Sequence, residues 1–479
     1  MSQDSSVAVL ADRLRAEVSR LQPGERLPSS RVLVRRHQVS PVTVSRALGQ
    51  LVAEGLVVTR PGSGAFVAEN APSRAAPDGH DAAAAADMSW QAVALGDRAV
   101  QSDDLSRLLL PAPEGAIALS GGYMHPTLQP LRGLATAAAR AARRPDAWDV
   151  PPPGGIPELR AWFARTAGGA GRSGAVSPSD VLITSGGQHA LTTVLRALLP
   201  PGAPLLVESP TYPGVLAIAR AGRLHPVPVP MDGDGVRPDM LAEAFEMTGA
   251  RAFYTQPAFH NPTGAVLAPA RRAGVIEAAR AAGAFVIEDD FARHLAIDPT
   301  PPPLVHGDAE GRVVHIASPT KATASSLRVA AVIARGPVAE RIRSTQLVEN
   351  FFPARPLQET LLELVSSPGW QRHLRALRTE LRARRDAVRS AFARELPELR
   401  ANRPAGGPHL WVRLPDGMDD VALAEAALRA GVLVSAGRVF FPAEPPAPYL
   451  RISYGAAASA AELTEGVRRL AAVIRSGSF

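Results

Sequence analysis

From about residue 88 onward the chain repeats one pattern that few folds can accommodate. A short apolar run of strand length is followed by a longer stretch rich in Ala, Leu and Arg. The runs fall at 181–184, 205–207, 252–254, 285–287, 313–316 and 329–334. Strand-like and helix-like segments in alternation argue for an α/β domain with a mainly parallel sheet. Ligands in such sheets bind at the carboxyl ends of the strands, so the residues just after each run are the ones to read for chemistry.

The pattern does not extend to the beginning of the chain. Residues 68–87 hold nine alanines, two prolines and one glycine, with no apolar period, and read as a linker in which 82–86 could add a helical turn. The expected organisation is a small domain over 1–68, a linker over 69–87 and a large domain over 88–479. The absence of cysteine excludes disulfides and thiolate metal sites. A net charge of +7 points weakly to an anionic partner. The first residues lack a basic segment followed by a long apolar one, and no run of about 20 apolar residues occurs. The expectation is a cytoplasmic protein without membrane contact.

The small domain reads as three helices and a hairpin. Val7, Leu10, Leu14 and Val18 recur at helical spacing, and Ser29 or Ser30 can cap a second helix through Arg36. Ser40-Pro41 opens a third helix, with Val44, Leu48, Leu51 and Val52 on one face and Gly55 as its stop. Two β-branched stretches follow, around Pro61-Gly62-Ser63-Gly64. This is the plan of a winged helix-turn-helix, whose third helix enters the major groove of double-stranded DNA. Ser40 stands at the start of that helix, and Val42, Thr43, Ser45 and Arg46 are expected to face bases. Arg31, Arg35, Arg36 and Arg60 are placed for phosphates, and Gly62 and Gly64 for close backbone approach at the wing tip. A helical docking domain with a solvated basic face is the alternative.

The large domain holds the only lysine in the chain, Lys321; the other 51 of the 52 Lys and Arg residues are arginine. Arginine can replace lysine in ion pairs, but its guanidinium stays protonated and cannot attack an aldehyde, which a desolvated lysine can do. Lys321 follows Ser318-Pro319-Thr320, with Arg328 seven residues on. Other candidates follow the predicted strands. Gly186-Gly187-Gln188 opens a helix whose free N–H groups can hold a phosphate. Tyr212 could stack on an aromatic ring, or serve as a turn tyrosine. Asn261-Pro262 directs an amide toward the strand ends, and the adjacent His260 reads better as a structural histidine than as a base. Glu288-Asp289-Asp290 offers a carboxylate to a pyridine nitrogen. A hard metal ion is the competing reading, ranked lower because no second ligand motif accompanies the acids. Arg451, within an apolar strand, calls for an anion, either a ligand carboxylate or an internal Asp or Glu.

Two resemblances follow from these residues. The stretch PGERLPSSR…VSPVTVSRALGQLVAEGLVVTRPGSGAFVAEN closely resembles the GntR-type winged helix-turn-helix. The later segments, in order over roughly 390 residues, resemble the fold type I aminotransferases, which use pyridoxal 5'-phosphate (PLP). That resemblance implies a Schiff base at Lys321, Asp289 on the pyridine nitrogen, Tyr212 on the ring face and Asn261 on the ring oxygen. It implies Gly187, Gln188, Ser318, Thr320 and Arg328 around the phosphate, and Arg451 on an amino acid carboxylate. Two departures stand out: Phe291 occupies a position where the family usually has tyrosine, and the segment 149–155 lacks the family's loop tyrosine, with only Trp148 nearby. Head, linker and body together resemble the MocR-type regulators. This implies a homodimeric, PLP-responsive transcription factor that binds promoter or operator DNA and senses PLP, an amino compound or both. An active aminotransferase carrying a DNA-binding head is the alternative.

Overall fold

The computed structural model describes residues 3–18, 21–22, 24–60, 64–68, 90–95, 105–106, 109, 111–168 and 176–477. They fall into two compact units that divide at residue 98, and each is described by itself. The predicted linker, the turn 61–63 with Gly62, and the side chain of Arg60 lie outside the described residues.

In the first unit, α1 (Gln3–Val18), α2 (Ser30–His37) and α3 (Pro41–Ala53) precede the strands β1 (Val57–Arg60) and β2 (Gly64–Val67). Leu10 and Leu14 of α1, Leu33 of α2, Val44 and Leu51 of α3, and Val57 and Val67 of the hairpin close one apolar core. The helical period dictates the helical part of this set: Leu10 and Leu14 are four apart, as are Val44 and Leu48, and Ala47 and Leu51. The turn between α2 and α3 is short. Gln38 takes a left-handed conformation, then Ser40 caps α3, its hydroxyl accepting from the Thr43 amide at 3.1 Å, with Pro41 in the first turn. β1 and β2 pair antiparallel from Val57↔Val67 to Arg60↔Gly64. The preceding turn joins them, Leu27 N–H donating to the carbonyl of Ala65 at 2.8 Å. The expected winged helix-turn-helix is therefore the observed architecture.

The second unit is built on an eight-stranded sheet. In chain order its strands are β3 (Val181–Thr184), β4 (Pro204–Ser209), β5 (His225–Asp232), β6 (Gly235–Val236), β7 (Ala252–Thr255), β8 (Phe285–Asp290), β9 (Val313–Ala317) and β10 (Ala330–Ile333). Their spatial order is β3-β10-β9-β8-β7-β4-β5-β6. The five strands β9-β8-β7-β4-β5 run parallel, whereas β10 is antiparallel to both of its neighbours and β6 closes a hairpin on β5. All six predicted runs are strands of this sheet.

Both faces of the sheet are buried, and strand alternation sorts the side chains between them. Ile183, Leu206, Phe253, Val286, Val313 and Ala331 enter one core, whereas Leu182, Val207, Tyr254, Ile287, Val314 and Val332 enter the other. Helices cover both faces, so the layers are those of an α/β domain. A four-stranded antiparallel sheet lies further along, in the order Arg400–Ala401, His409–Arg413, Tyr449–Ser453, Ser435–Ala436. It carries His409 and Arg451 to the cleft described next. Among the described residues no helix is long and apolar enough to cross a membrane.

Candidate functional site

A cleft at the carboxyl ends of the parallel strands gathers ten residues singled out in the sequence. Gly187, Gln188, Tyr212, Asn261, Asp289, Ser318, Thr320, Lys321, Arg328 and Arg451 all line it, around about 110 Å³ of open interior.

Lys321 sits in a short turn after β9, its ammonium 3.8 Å from the centre of the Tyr123 ring. Burial and the nearby positive charge of Arg451 push its pKa down to about 7. At neutral pH much of this amine is therefore unprotonated, the form that attacks a carbonyl.

The three acids ending β8 divide by strand alternation. Asp289 turns toward the cleft, where one carboxylate oxygen accepts from Tyr254 Oη at 2.7 Å and Gln256 Nε2 at 2.8 Å. Burial raises its pKa against the pull of these two donors. Among the described residues no cation lies within ion-pair distance of it. Glu288 turns to the opposite face, accepting from the amides of Leu304 at 2.7 Å and Val305 at 3.2 Å and meeting His315 Nδ1 at 2.8 Å. Asp290 pairs with Arg293. Two of the three acids are thus internal fastenings, and among the described residues no cluster of metal-ligating groups occurs.

Arg451 is 1% exposed, yet it meets only neutral acceptors: Asn261 Oδ1 at 3.0 Å, the carbonyl of Gly121 at 3.2 Å and Ser435 Oγ at 3.3 Å. Its Nε has no partner among the described residues, and its guanidinium lies 4.8 Å over the ring of Phe440. Burial lowers its pKa to about 9, the mark of a cation lacking a counter-charge. The internal-partner alternative raised by the sequence is not what this strand adopts.

At the other end of the cleft, Gly186 precedes the helix Gly187–Leu198 with φ near 94°. A Cβ there would stand 2.8 Å from the guanidinium carbon of Arg328, so the glycine makes room for that cation against the helix start. Ser318 and Thr320 hydroxyls meet at 3.0 Å, and Tyr212 Oη donates to Gln188 Oε1 at 3.0 Å. A helix start with its dipole end and a cation beside it are elements that could hold a phosphate.

Sequence reasoning missed several residues of the cleft. Gly122, Tyr123, Leu191, Gln256, His409, Leu105 and Leu109 line it as well. Tyr254 and Gln256 are two apart, so they share one face at the end of β7; that period was the available signal for Asp289's donors. His260 is fully buried, with Thr263 Oγ1 at 2.9 Å and Glu208 at 3.4 Å, which is a structural setting. Phe291 lines the cleft, whereas Trp148 is 78% exposed and does not.

In the first unit Val42, Ser45 and Arg46 are exposed on α3, and Arg31 and Arg35 on α2, four residues apart. Arg36 is exposed as well, and pairs with Glu17. Thr43, expected to face outward, is buried, its hydroxyl 2.9 Å from that of Ser40. The reason is helical period: Thr43 shares the inner face with Val44, Ala47 and Leu51. Ser40 is itself engaged in capping α3, and Gly64 takes φ near 108° at the start of β2.

Comparison with known proteins agrees with both halves. Residues 119–470 match the family model for aminotransferases of class I and II, and residues 7–67 match that for bacterial regulatory proteins of the gntR family. The chain belongs to the class I and II aminotransferase family, and with its GntR-type head it is a DNA-binding transcription regulator of the MocR type. It is 29% identical over 483 residues to the HTH-type transcriptional regulator TauR of Rhodobacter capsulatus, covering 95% of this chain and 93% of the relative. It is 30% identical to the 2-aminoadipate transaminase of Thermus thermophilus, covering 81% of this chain and 98% of that enzyme. The crystal structure of the α-aminoadipate aminotransferase LysN of that organism, complexed with N-(5'-phosphopyridoxyl)-L-leucine, superposes with a TM-score of 0.74 at 29% identity, over 81% of this chain and 99% of LysN.

Proposed function

We propose that the cleft holds PLP and that its occupancy, by the cofactor alone or with an amino compound, sets the affinity of the head for operator DNA. The observation that carries this reading is a set of charges without partners. Among the described residues no cation lies within ion-pair distance of Asp289 and no anion within that distance of Arg451, and the only lysine of the chain lines the same cleft with its amine driven toward neutrality. A protonated pyridine nitrogen answers Asp289, a phosphate answers Arg328 and the Gly187 helix, and an amino acid carboxylate answers Arg451. Bound PLP would supply an aldehyde for Lys321 and an electron-withdrawing ring. Tyr212 would cover the ring, Asn261 would reach its oxygen, and Gln188, Ser318 and Thr320 would complete the phosphate seat.

On the head, Arg31, Arg35, Arg36 and Arg60 would engage phosphates and Val42, Ser45 and Arg46 base edges, with Gly62 and Gly64 allowing close approach of the wing. A homodimer suits paired half-sites, and the exposed Trp148, Val150, Val348 and Phe351 of the body offer apolar surface for it. The test is operator binding with and without PLP, for the wild type and for Lys321→Ala. The variant should bind DNA and lose the PLP response; an unchanged response would overturn the reading.

A second reading, a working aminotransferase, is favoured by the presence of Lys321, Asp289, Asn261 and Arg451 in one cleft. Phe291 removes a hydroxyl that the family places beside the ring oxygen, which weighs against efficient turnover. Keto acid formed from an amino donor over many turnovers would support it.

A further inference from the structure

We infer that the amino compound recognised in this cleft is an α-amino acid with one carboxylate and an uncharged, apolar side chain. The inference rests on the cofactor reading above and specifies its effector. Among the described residues lining the cleft, the charged side chains are Asp289, Lys321, Arg328 and Arg451. Each is already matched: Asp289 by the ring nitrogen, Lys321 by the aldehyde or amine, Arg328 by phosphate and Arg451 by the α-carboxylate. The fourth titratable nitrogen group, His409, is held neutral by burial and by the cations Arg451 and Lys321.

The cleft's amides are engaged too. Gln256 donates to Asp289 at 2.8 Å and accepts from the Asn261 N–H at 3.0 Å, and Asn261 Oδ1 accepts from Arg451 at 3.0 Å. A second carboxylate or a side-chain ammonium would therefore enter without a counter-charge, which is strongly unfavourable in a desolvated site. What remains of the wall is mostly apolar: Leu105, Leu109, Leu191, Phe291 and the ring of Tyr123. Leu105 and Leu109 both line the cleft, and Leu109 is 58% exposed. An aliphatic or aromatic side chain would cover them. They also stand at the start of the body, so a ligand packed on them touches the part of the body nearest in sequence to the head.

The test uses full-length protein loaded with PLP. L-leucine, L-phenylalanine, L-glutamate and L-lysine are titrated separately, with the visible band of the cofactor and operator affinity as the two readouts. Leucine or phenylalanine should act at concentrations about tenfold or more below glutamate and lysine, the scale of discrimination that an apolar pocket gives. Glutamate or lysine acting equally well would overturn the inference, as would a cofactor band that no amino acid perturbs. A protein that never acquires the band refutes the cofactor reading itself, and the inference falls with it. Leu109→Arg, which offers a cation to a second carboxylate, should shift the preference toward glutamate; an unchanged preference would remove Leu109 from the effector seat.

Discussion

The depressed pKa of Lys321 makes a quantitative prediction about cofactor capture. A free lysine with a pKa near 10.4 has only about 0.04% of its amine unprotonated at pH 7. With burial and Arg451 bringing the value to about 7, roughly half is unprotonated at that pH, about a thousandfold more. Because the value is lowered, the reactive form is lost as pH falls through 7 and is essentially complete by about pH 8. The assay is the second-order rate of PLP attachment to apo-protein, followed by absorbance between pH 5.5 and 9.5. The rate should rise about tenfold per pH unit below 6.5 and flatten above 8, after correction for the titration of PLP itself. Arg451→Met removes one of the cations that lowers the value and should move the midpoint upward. A rate still climbing tenfold per unit between pH 8 and 9.5 would show that the amine is an ordinary exposed lysine, and the electrostatic reasoning would fail.

Other consequences follow from single contacts. Asp289→Asn keeps the shape but removes the charge that answers the ring nitrogen, and equilibrium dialysis should show PLP affinity reduced by about tenfold or more. Ser40→Ala removes the oxygen that accepts the Thr43 amide, and the head should lose about 1 kcal/mol of stability in a denaturant melt. Arg31→Ala should weaken operator binding, and the slope of log K against log salt should fall by about one, as measured by fluorescence anisotropy at several salt concentrations.

Much of the fold was legible because apolar period survives tertiary packing. Six apolar runs became six strands, and Leu10, Leu14, Val44 and Leu51 became the core of the head. The antiparallel insertion of β10 between β3 and β9 was not legible, since a short strand between two cores reads alike in either direction. In the cleft, the residues just after strands were visible because parallel α/β sheets leave their carboxyl ends open. Tyr123 and His409 come from distant stretches of chain and carry no local mark. Thr43 was misread because a polar side chain was taken as outward-facing, although its place on the helix is on the buried side. The split of the three acids, with Asp289 alone facing the cleft, needs only the alternation of β8 once the strand boundaries are known.

The central claim is that one cleft controls one DNA-binding surface. The measurement that tests it most directly is the affinity of the purified protein for the intergenic DNA beside its own gene, at fixed salt, with and without PLP, for the wild type and for Lys321→Ala. Coupling between such sites typically amounts to about 1–3 kcal/mol, or about 5- to 150-fold in affinity. The account predicts a change of that size in the wild type and none in the variant. Specific binding that PLP shifts equally in both proteins, or in neither, would contradict it.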